Sequence, residues 1–409
     1  MTSPWKATIP IPPSRRRSPY DGAHHAVEVV SAGSPCTTAP LRIVDVRTLV
    51  FRAPLLEPVQ TSFGLMQDRP ALLVRVEDAD GVFGWGEVWC NFPSLGAEHR
   101  AHLLDTLVAP ILREKAWADP PAAFRELSRR LHVLAIQTGE PGPMAQIVAG
   151  VDVALWDLAA RRAAQPLWQM LDGAPTIPVY ASGLNPTRPE QLAAVKLQEG
   201  HRAFKLKVGF GEKRDRANVE ALRALLGPLP LMIDANQAWD PGEARAMSAA
   251  LAEYAPLWLE EPIAADQPLS AWQQLARDSK IPLAAGENLR GMETFETAIG
   301  ASALGVIQPD LGKWGGFSGC LEVGKMARAH GVMFCPHWLG GGVGLAASLH
   351  LKAAVGGPGY VEVDANPNPL RELGVIPAFK VDDGNIELDH IPGLGVVPNL
   401  AAIERFRVQ

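Results

Sequence analysis

Eight short apolar runs alternate with helical stretches from residue 177 onward, and this alternation restricts the fold more than any other feature. The runs are continuously apolar, which is typical of strands in a parallel sheet buried on both faces. They cover residues 177–182, 203–208, 231–234, 257–260, 282–287, 304–310, 332–337 and 360–363. Eight strand–helix units predict an α/β fold, a (β/α)8 barrel over residues 161–375, although the eighth helix is poorly marked.

An open, doubly wound parallel sheet is the alternative architecture for this pattern. That fold would carry a glycine-rich phosphate-binding turn after its first strand, and none follows residue 182. The glycines at 340–342 also lack the context of a phosphate loop, and we interpret them as a close approach of the backbone. The sequence therefore favours the barrel.

The segments on either side of the barrel have a different character. Residues 41–160 begin with a predicted antiparallel meander, including the tight turn Asp80-Gly81, and continue with three helices, which together predict a compact α+β unit. Residues 376–409 are expected to form a hairpin (381–388 with 393–396) and a last helix that return to this unit. Residues 1–40 carry scattered proline, serine and arginine without a period, so we expect a disordered extension.

Composition argues against several classes of function. The 409 residues have a formal net charge of −6, which leaves no positively charged footprint for nucleic acid or an anionic membrane. No uninterrupted apolar run is long enough to span a bilayer, and the arginines at 15–17 precede no apolar core of a signal peptide. The four cysteines form no CxxC pair, which favours reduced thiols in a cytoplasmic protein.

A polar residue stands at or near the C-terminal end of seven predicted strands. About 25 residues, one strand–helix unit, separate each from the next, and in a barrel such side chains converge on the mouth where active sites lie. They are Lys207, Asp234, Glu260, Glu287, Asp310, His337 and Glu362.

Three of these residues, Asp234, Glu260 and Glu287, are carboxylates on consecutive strands. Together they would repel one another unless a cation lay between them, and an all-oxygen set suits Mg²⁺. Each also has a structural interpretation, as a turn cap, a partner of a helix lysine and the start of a loop, respectively. Their joint placement favours the metal. Glu261 is expected to point the other way and form a structural salt bridge.

Lys205 and Lys207 are two residues apart on a predicted strand and therefore share a face. Neighbouring ammonium groups lower each other's pKa, so one lysine could act as a general base while the other holds an anionic substrate. Taken alone, such a pair more often lies on a solvated strand edge. The carboxylates that follow it favour the catalytic interpretation.

His337 is the second predicted acid/base group, because Asp310 could bond its ring, fix the tautomer and raise its basicity. The alternative is an ordinary core histidine. A lysine on the opposite side of the mouth argues against it, since two such groups would serve the two faces of one substrate carbon. Glu362, if protonated, could donate a hydrogen bond to an enediolate, or it could form a structural salt bridge. Lys313 would help to neutralise the carboxylates or be structural.

Residues 41–409 resemble the enolase superfamily, and within it the mandelate racemase group. Lys205-Leu206-Lys207 is similar to the KxK motif of that family, whose second lysine is the base. A lysine would replace Asp310 in the muconate lactonizing branch, so that branch is disfavoured. The resemblance implies the following roles: Mg²⁺ ligands Asp234, Glu260 and Glu287, an Asp310–His337 dyad, and an electrophilic Glu362.

The resemblance also implies a domain arrangement and a half-reaction. Residues 41–160 would be a capping domain, completed by the C-terminal segment, with substrate-selecting loops at 56–67 and 89–94. The shared half-reaction is removal of the α-proton of a carboxylate, with Mg²⁺ stabilising the enediolate. The polar loop residues favour a polyhydroxylated acid, and they are Gln60, Thr61, Ser62, Gln67 and Asn91.

We expect the overall reaction to be dehydration of an acid sugar. The segments 208–211 and 308–311 also resemble galactarolactone cycloisomerases, so a sugar-lactone cycloisomerase is an alternative, as is a hydroxy-acid racemase or epimerase. An alternative of another class is a barrel that binds a sugar acid without turnover, although bases on both faces argue against it. The expected partner is a small carboxylate, an acid sugar or its lactone, and the resemblance suggests a homo-oligomer such as an octamer.

Overall fold

The computed structural model describes residues 40–60 and 64–408, except for the side chain of Glu57. The extension expected over residues 1–40 therefore lies outside the described residues, apart from Pro40. The described residues form an antiparallel unit and a parallel barrel, so the predicted fold class is confirmed.

The N-terminal unit is a three-stranded antiparallel meander covered by helices. β1 (Ile43–Gln60) pairs with β2 (Leu65–Asp78), which pairs with β3 (Phe83–Val88). The helices are α1 (Gly96–Leu103), α2 (Ala109–Arg113), α3 (Pro120–Thr138) and α4 (Pro141–Arg162), with a π-helical turn at Leu104–Val108. Apolar side chains of the sheet and these helices, such as Val74 and Leu155, are fully buried in one core.

Two connections in the meander show how local sequence sets its shape. The carboxylate of Asp78 accepts hydrogen bonds from the backbone N–H groups of Asp80 and Val82, both at 3.0 Å, and Gly81 has a φ of +79°, where glycine is favoured. The predicted turn is thus confirmed. The predicted loop at 56–67 is wrong for most of its length, because Val59 still pairs with Met66 beyond an irregularity after Pro54.

Helix α4 is long and apolar enough to cross a membrane by length and composition. However, 89% of its most apolar 18-residue stretch is buried inside the protein. It packs closely on β3, because a Cβ atom added to Gly84 would lie only 2.1 Å from the carbonyl oxygen of Ala154. We therefore interpret α4 as the core helix of the N-terminal unit.

Eight parallel strands follow in chain order. They are β4 (Thr176–Leu184), β5 (Phe204–Lys207), β6 (Leu231–Asp234), β7 (Leu259–Glu260), β8 (Leu283–Ala285), β9 (Val306–Ile307), β10 (Met333–Phe334) and β11 (Val361–Asp364). Each strand from β4 to β9 pairs with the next, and β11 pairs with β4, so the sheet curls into a barrel. Every residue of β5, β6 and β11 is buried, as expected for strands covered on both faces.

A helix follows each barrel strand. After α5 (Leu167–Met170), they are α6 (Pro189–Gln198), α7 (Glu212–Leu226), α8 (Pro241–Leu251), α9 (Leu269–Asp278), α10 (Met292–Gly300), α11 (Gly316–Ala329), α12 (Gly342–Val355) and α13 (Pro369–Glu372). The last of them has only four residues, which explains its weak sequence signal.

A lysine side chain bridges the gap between β10 and β11, which share no backbone ladder in the described part of the chain. The buried ammonium of Lys352 donates to the carbonyl oxygens of Phe334 (3.2 Å), Gly356 (3.2 Å), Gly357 (3.1 Å) and Pro358 (2.8 Å). These contacts satisfy carbonyl groups beside the gap between β10 and β11.

The C-terminal segment contains β12 (Val375–Ile376), β13 (Asn385–Glu387), β14 (Val397–Pro398) and α14 (Leu400–Ile403). The expected hairpin is wrong, because β13 pairs with residues 176–178 of β4 and β14 pairs with β12. The start of β4 extends beyond its pairing with β5 and β11, and β13 covers this edge. The chain then returns to the N-terminal unit, where the N–H of Val408 donates to the carbonyl of Val50 at 2.9 Å.

Candidate active site

The polar residues predicted at the strand ends gather at the C-terminal mouth of the barrel and form one network of ion pairs and hydrogen bonds. They are Lys205 and Lys207 on β5, Asp234 on β6, Glu260 on β7, Glu287 after β8, Asp310 after β9, His337 after β10 and Glu362 on β11.

A cavity of about 250 Å³ adjoins this network and is lined by both the barrel and the N-terminal unit. Of the network, Lys207, Glu287 and His337 line it. Seven primary amides also line it, and they are Gln60, Asn91, Asn185, Asn236, Gln237, Asn288 and Asn366. Among the predicted loop residues, Gln67 does not line the cavity, and Thr61 and Ser62 lie outside the described residues. The cavity thus offers many hydrogen-bonding groups to a polar ligand.

Lys205 lies deeper than its neighbour and is fully buried. Its ammonium is 2.6 Å from Glu260, 2.8 Å from Glu362 and 3.7 Å from Asp234. Burial alone would lower the pKa of Lys205, but these carboxylates hold it well above its ordinary value. It does not line the cavity, so its position favours holding the carboxylates over holding a substrate.

Lys207 reaches the cavity and lies 2.5 Å from Asp234. Burial and the nearby Lys205 both lower its pKa, yet the Asp234 carboxylate outweighs them, and the pKa of Lys207 is raised. The expected depression by a neighbouring ammonium is therefore wrong for this arrangement, because the Asp234 carboxylate on the next strand raises the pKa of Lys207 more than Lys205 lowers it.

Asp234, Glu260 and Glu287 each pair with a lysine, and no three His, Cys, Asp or Glu side chains of the described residues converge as a metal site. Burial and the adjacent Asp234 raise the pKa of Glu260 to about 7. A cation would relieve that repulsion, and carboxylate oxygens are the ligands that Mg²⁺ prefers. The donor chemistry of this set therefore fits Mg²⁺.

His337 and Asp310 are paired, with Nδ1 of the imidazole 2.6 Å from the carboxylate. The backbone N–H groups of Gly312 and Lys313 also donate to Asp310, at 2.8 and 3.1 Å, and fix its position. Burial would lower the pKa of His337, but Glu287, Glu362 and Asp310 raise it to about 9. The ring is thus held as an imidazolium near neutral pH.

Glu362 accepts hydrogen bonds from the hydroxyl of Ser182 and from the N–H of Trp338 at 3.1 Å. Burial would raise the pKa of Glu362, but the charges of Lys205 and His337 lower it to about 2. Of the two alternatives for this residue, the structure therefore favours the salt bridge over a protonated hydrogen-bond donor. Its electrophilic role stays a prediction.

Lys313 and Glu261 flank the third carboxylate. The ammonium of Lys313 bonds to Glu287 and lies 3.2 Å from Asn288, in line with a neutralising role. The salt bridge expected for Glu261 is wrong in the described residues, because it lines the cavity and accepts from the amide of Asn288 at 2.9 and 3.1 Å. Burial and the neighbouring Glu287 raise the pKa of Glu261 to about 8.

The N-terminal unit contributes residues that sequence reasoning missed. Both oxygens of Glu87 accept backbone N–H groups at the start of α12, from Gly341 (2.5 Å) and Gly344 (2.9 Å). Burial raises the pKa of Glu87 to about 7. Arg69 lines the cavity and bonds to Asp364 at the end of β11. Both contacts join segments more than 250 positions apart, so no local pattern could reveal them.

Models of two protein families match the chain. The model for the N-terminal domain of mandelate racemase / muconate lactonizing enzyme matches residues 43–172, and the enolase C-terminal domain-like model matches residues 188–402. The chain belongs to the enolase superfamily. Within it, the chain falls in the mandelate racemase/muconate lactonizing enzyme family, as the resemblance of its motifs predicted.

Three relatives with named activities align with 84% to 90% of this chain. D-galactarolactone cycloisomerase of Agrobacterium fabrum is 30% identical over 90% of this chain and 99% of that protein. 3,6-anhydro-alpha-L-galactonate cycloisomerase of Streptomyces coelicolor is 32% identical over 90% of this chain and 99% of that protein. Arabinonate dehydratase of Saccharolobus solfataricus is 26% identical over 84% of this chain and 96% of its own length. This chain is an enzyme of the superfamily, a lyase or isomerase.

Solved structures show the same fold. A mandelate racemase/muconate lactonizing enzyme from Bordetella bronchiseptica is 53% identical, with a TM-score of 0.84, over 90% of this chain and 99% of that chain. A racemase from Streptomyces coelicolor, solved with bound magnesium, is 31% identical, with a TM-score of 0.81, over 90% of this chain and 100% of that chain. The roles of individual residues in the present chain remain predictions.

Proposed function

We propose that this enzyme removes the α-proton of a sugar acid or sugar lactone and then expels the oxygen on the β-carbon. The observation that carries the proposal is that Lys207 and the Asp310-paired His337 line one cavity. They come from β5 and β10, which are separated by two strands on one side and four on the other. A substrate between them would meet an amine from one side and an imidazolium from the other.

In the proposed reaction, Lys207 first releases to solvent the proton that its ion pair with Asp234 stabilises. The resulting amine takes the α-proton, and the electrons of the C–H bond move into the enediolate. Those electrons then break the bond from the β-carbon to its oxygen, and His337 gives its proton to the departing oxygen. The enol that remains becomes a 2-oxo acid. If the oxygen is a hydroxyl, water leaves and the reaction is a dehydration. If it belongs to a ring, the ring opens without loss of atoms.

Dehydration of an acid sugar is our first candidate, supported by seven amides that could bind substrate hydroxyls. Cycloisomerisation is the second candidate, favoured by the names of the two relatives that extend over 90% of this chain. Both use the same acid/base pair, so the substrate decides between them.

We further propose that Asp234, Glu260 and Glu287 hold Mg²⁺. The chemistry of the donors and the magnesium bound to a related racemase support this assignment. When bound, the ion would offset the charge of these carboxylates and of the substrate carboxylate. A cytoplasmic location and a homo-oligomeric state stay predictions.

Product analysis tests the proposal. The enzyme with Mg²⁺ is incubated with open-chain sugar acids, their lactones and anhydro sugar acids, and products are identified by NMR and mass spectrometry. A 2-oxo-3-deoxy acid formed with loss of water would support dehydration, and an isomer of that type from a lactone or anhydro acid would support cycloisomerisation. The 2-epimer as sole product would contradict the proposed elimination. Lys213→Ala, a change at an exposed lysine of α7, is the active control for Lys207→Ala.

A further inference from the structure

A second polar cavity, of about 590 Å³, lies outside the barrel between the C-terminal end of α6, the short helix α13 and the C-terminal segment. It is lined by His201 and Arg371, which are 97% and 91% buried, and by Lys196 and Lys380. Asp364 lines both this cavity and the catalytic one, so the two are neighbours separated by the end of β11.

Two buried polar atoms beside this cavity have no hydrogen-bond partner among residues 40–60 and 64–408. They are Nδ1 of His201 and Nη1 of Arg371. The other terminal nitrogen of Arg371 donates to the carbonyl of Asn366 (3.2 Å) and to Glu372 (2.9 Å). Nη1 itself is 3.7 Å from Asp364, too far for a hydrogen bond. Buried polar atoms are rarely left unpartnered, so each is expected to contact a bound water or ligand.

The two groups are close enough for the charge of Arg371 to act on His201. Burial, and then the charges of Lys196 and Arg371, lower the pKa of His201 to about 4, so its ring is neutral at pH 7 and keeps one N–H. The carboxylates at the rim are already engaged, because Glu199 pairs with Lys196 and Glu372 pairs with Arg371. Lys380 has no ion pair among the described residues and is exposed at the rim.

We propose that this cavity binds a small oxyanion, a carboxylate or phosphate, which accepts hydrogen bonds from Nη1 of Arg371 and from the imidazole of His201. One unengaged guanidinium nitrogen and one neutral imidazole donor are suited to an anion with two or more oxygens. Lys380 at the rim adds a positive charge that favours its entry. The site is separate from the catalytic residues, so its test does not depend on the proposed reaction.

Location and affinity are measured separately. Crystals of the full chain are soaked in selenate, whose selenium is located by anomalous scattering. Isothermal titration calorimetry at constant ionic strength measures the affinity for inorganic phosphate and, in a separate titration, for malonate. The tighter of the two shows whether the site prefers a phosphate or a carboxylate. The variants are Arg371→Met, His201→Leu, Lys207→Ala and the exposed control Lys213→Ala.

We expect selenate to bind beside Arg371 and His201. In Arg371→Met the affinity for the preferred anion should be at least roughly tenfold lower than in the wild type. His201→Leu should weaken binding in the same direction, and it provides the test if Arg371→Met fails to fold. Lys207→Ala and Lys213→Ala should bind as the wild type does. An ordered water alone at this position would overturn the proposal. So would wild-type affinity in both Arg371→Met and His201→Leu, or loss of binding in Lys207→Ala.

Discussion

Nδ1 of His337 lies 2.6 Å from Oδ2 of Asp310, which follows the preceding barrel strand. This contact fixes which ring nitrogen faces the carboxylate and leaves Nε2 towards Glu287 and Glu362, at 3.3 and 3.4 Å. Glu287 and Glu362, and then Asp310, raise the pKa of His337 to about 9, which makes it a proton donor near neutral pH.

The pH dependence of kcat/KM follows from this pairing. Activity that needs imidazolium should fall as pH rises through the His337 pKa of about 9. Asp310→Asn removes a charge that raises this pKa, so the falling limb should move to lower pH, with a loss in kcat of about 10²–10⁴-fold. Asp382→Asn, at an exposed position, is the control. An unchanged limb in Asp310→Asn would contradict the assigned role.

Metal dependence is the second prediction. Removal of divalent ions with a chelator should abolish turnover, and added Mg²⁺ should restore it. Glu287→Gln replaces a proposed ligand and should weaken Mg²⁺ binding by about tenfold or more, measured by calorimetry. Glu293→Gln is the matched change at an exposed position of α10 and should bind Mg²⁺ normally. Equal affinity in the two variants would argue against Glu287 as a ligand.

Lys352 should stabilise the barrel where β10 and β11 do not pair. Lys352→Met keeps most of the side-chain volume but leaves four carbonyl groups without their donor, so the free energy of unfolding should fall by about 2–5 kcal/mol. Urea unfolding measures this change. Lys325→Met, at an exposed position of α11, should change stability by less than about 0.5 kcal/mol. A similar loss in both variants would contradict the bridging role.

Asp152 should make stability depend on pH. Burial raises its pKa to about 7 in the folded protein, while the unfolded chain keeps a value near 3.8. Between these two pH values the folded state binds more protons, so this group's contribution to stability falls as pH rises from about 4 to 7. Asp152→Asn should flatten that dependence, by about 1–4 kcal/mol across the window.

Thermal or urea unfolding of both proteins at several pH values measures the effect of Asp152→Asn. Asparagine can still accept from the N–H of Ser318, which donates to the carboxylate at 2.9 Å, so the fold should be kept. The same slope with pH in both proteins would show that Asp152 does not titrate in this range.

Sequence reasoning located the barrel strands and the residues at their ends because that information is periodic. The apolar runs recur once per strand–helix unit, and the polar residue that ends each run is visible without a structure. The pKa values were not accessible in the same way. Lys207 was expected to have a depressed pKa from its neighbour Lys205, but the decisive group is Asp234 on the next strand, 2.5 Å away.

Contacts between distant segments account for the other differences. The sequence predicts that β13 pairs within the C-terminal segment, but β13 pairs with the start of β4. A local sequence pattern does not show that this part of β4 has a free edge. Glu87 and Arg69 reach the barrel from the N-terminal unit, and only the folded chain shows which helix and which carboxylate they meet. Local patterns predict elements, whereas contacts across the cavity depend on packing.

Exchange of the substrate α-proton with solvent tests the central claim most directly. The enzyme is incubated in heavy water with Mg²⁺ and the substrate identified by product analysis, and loss of the α-proton signal is followed by proton NMR. The account predicts exchange or turnover at the α-carbon in the wild type and in Lys213→Ala, with a loss of several orders of magnitude in Lys207→Ala. Undiminished exchange in Lys207→Ala would contradict the claim that this lysine is the base.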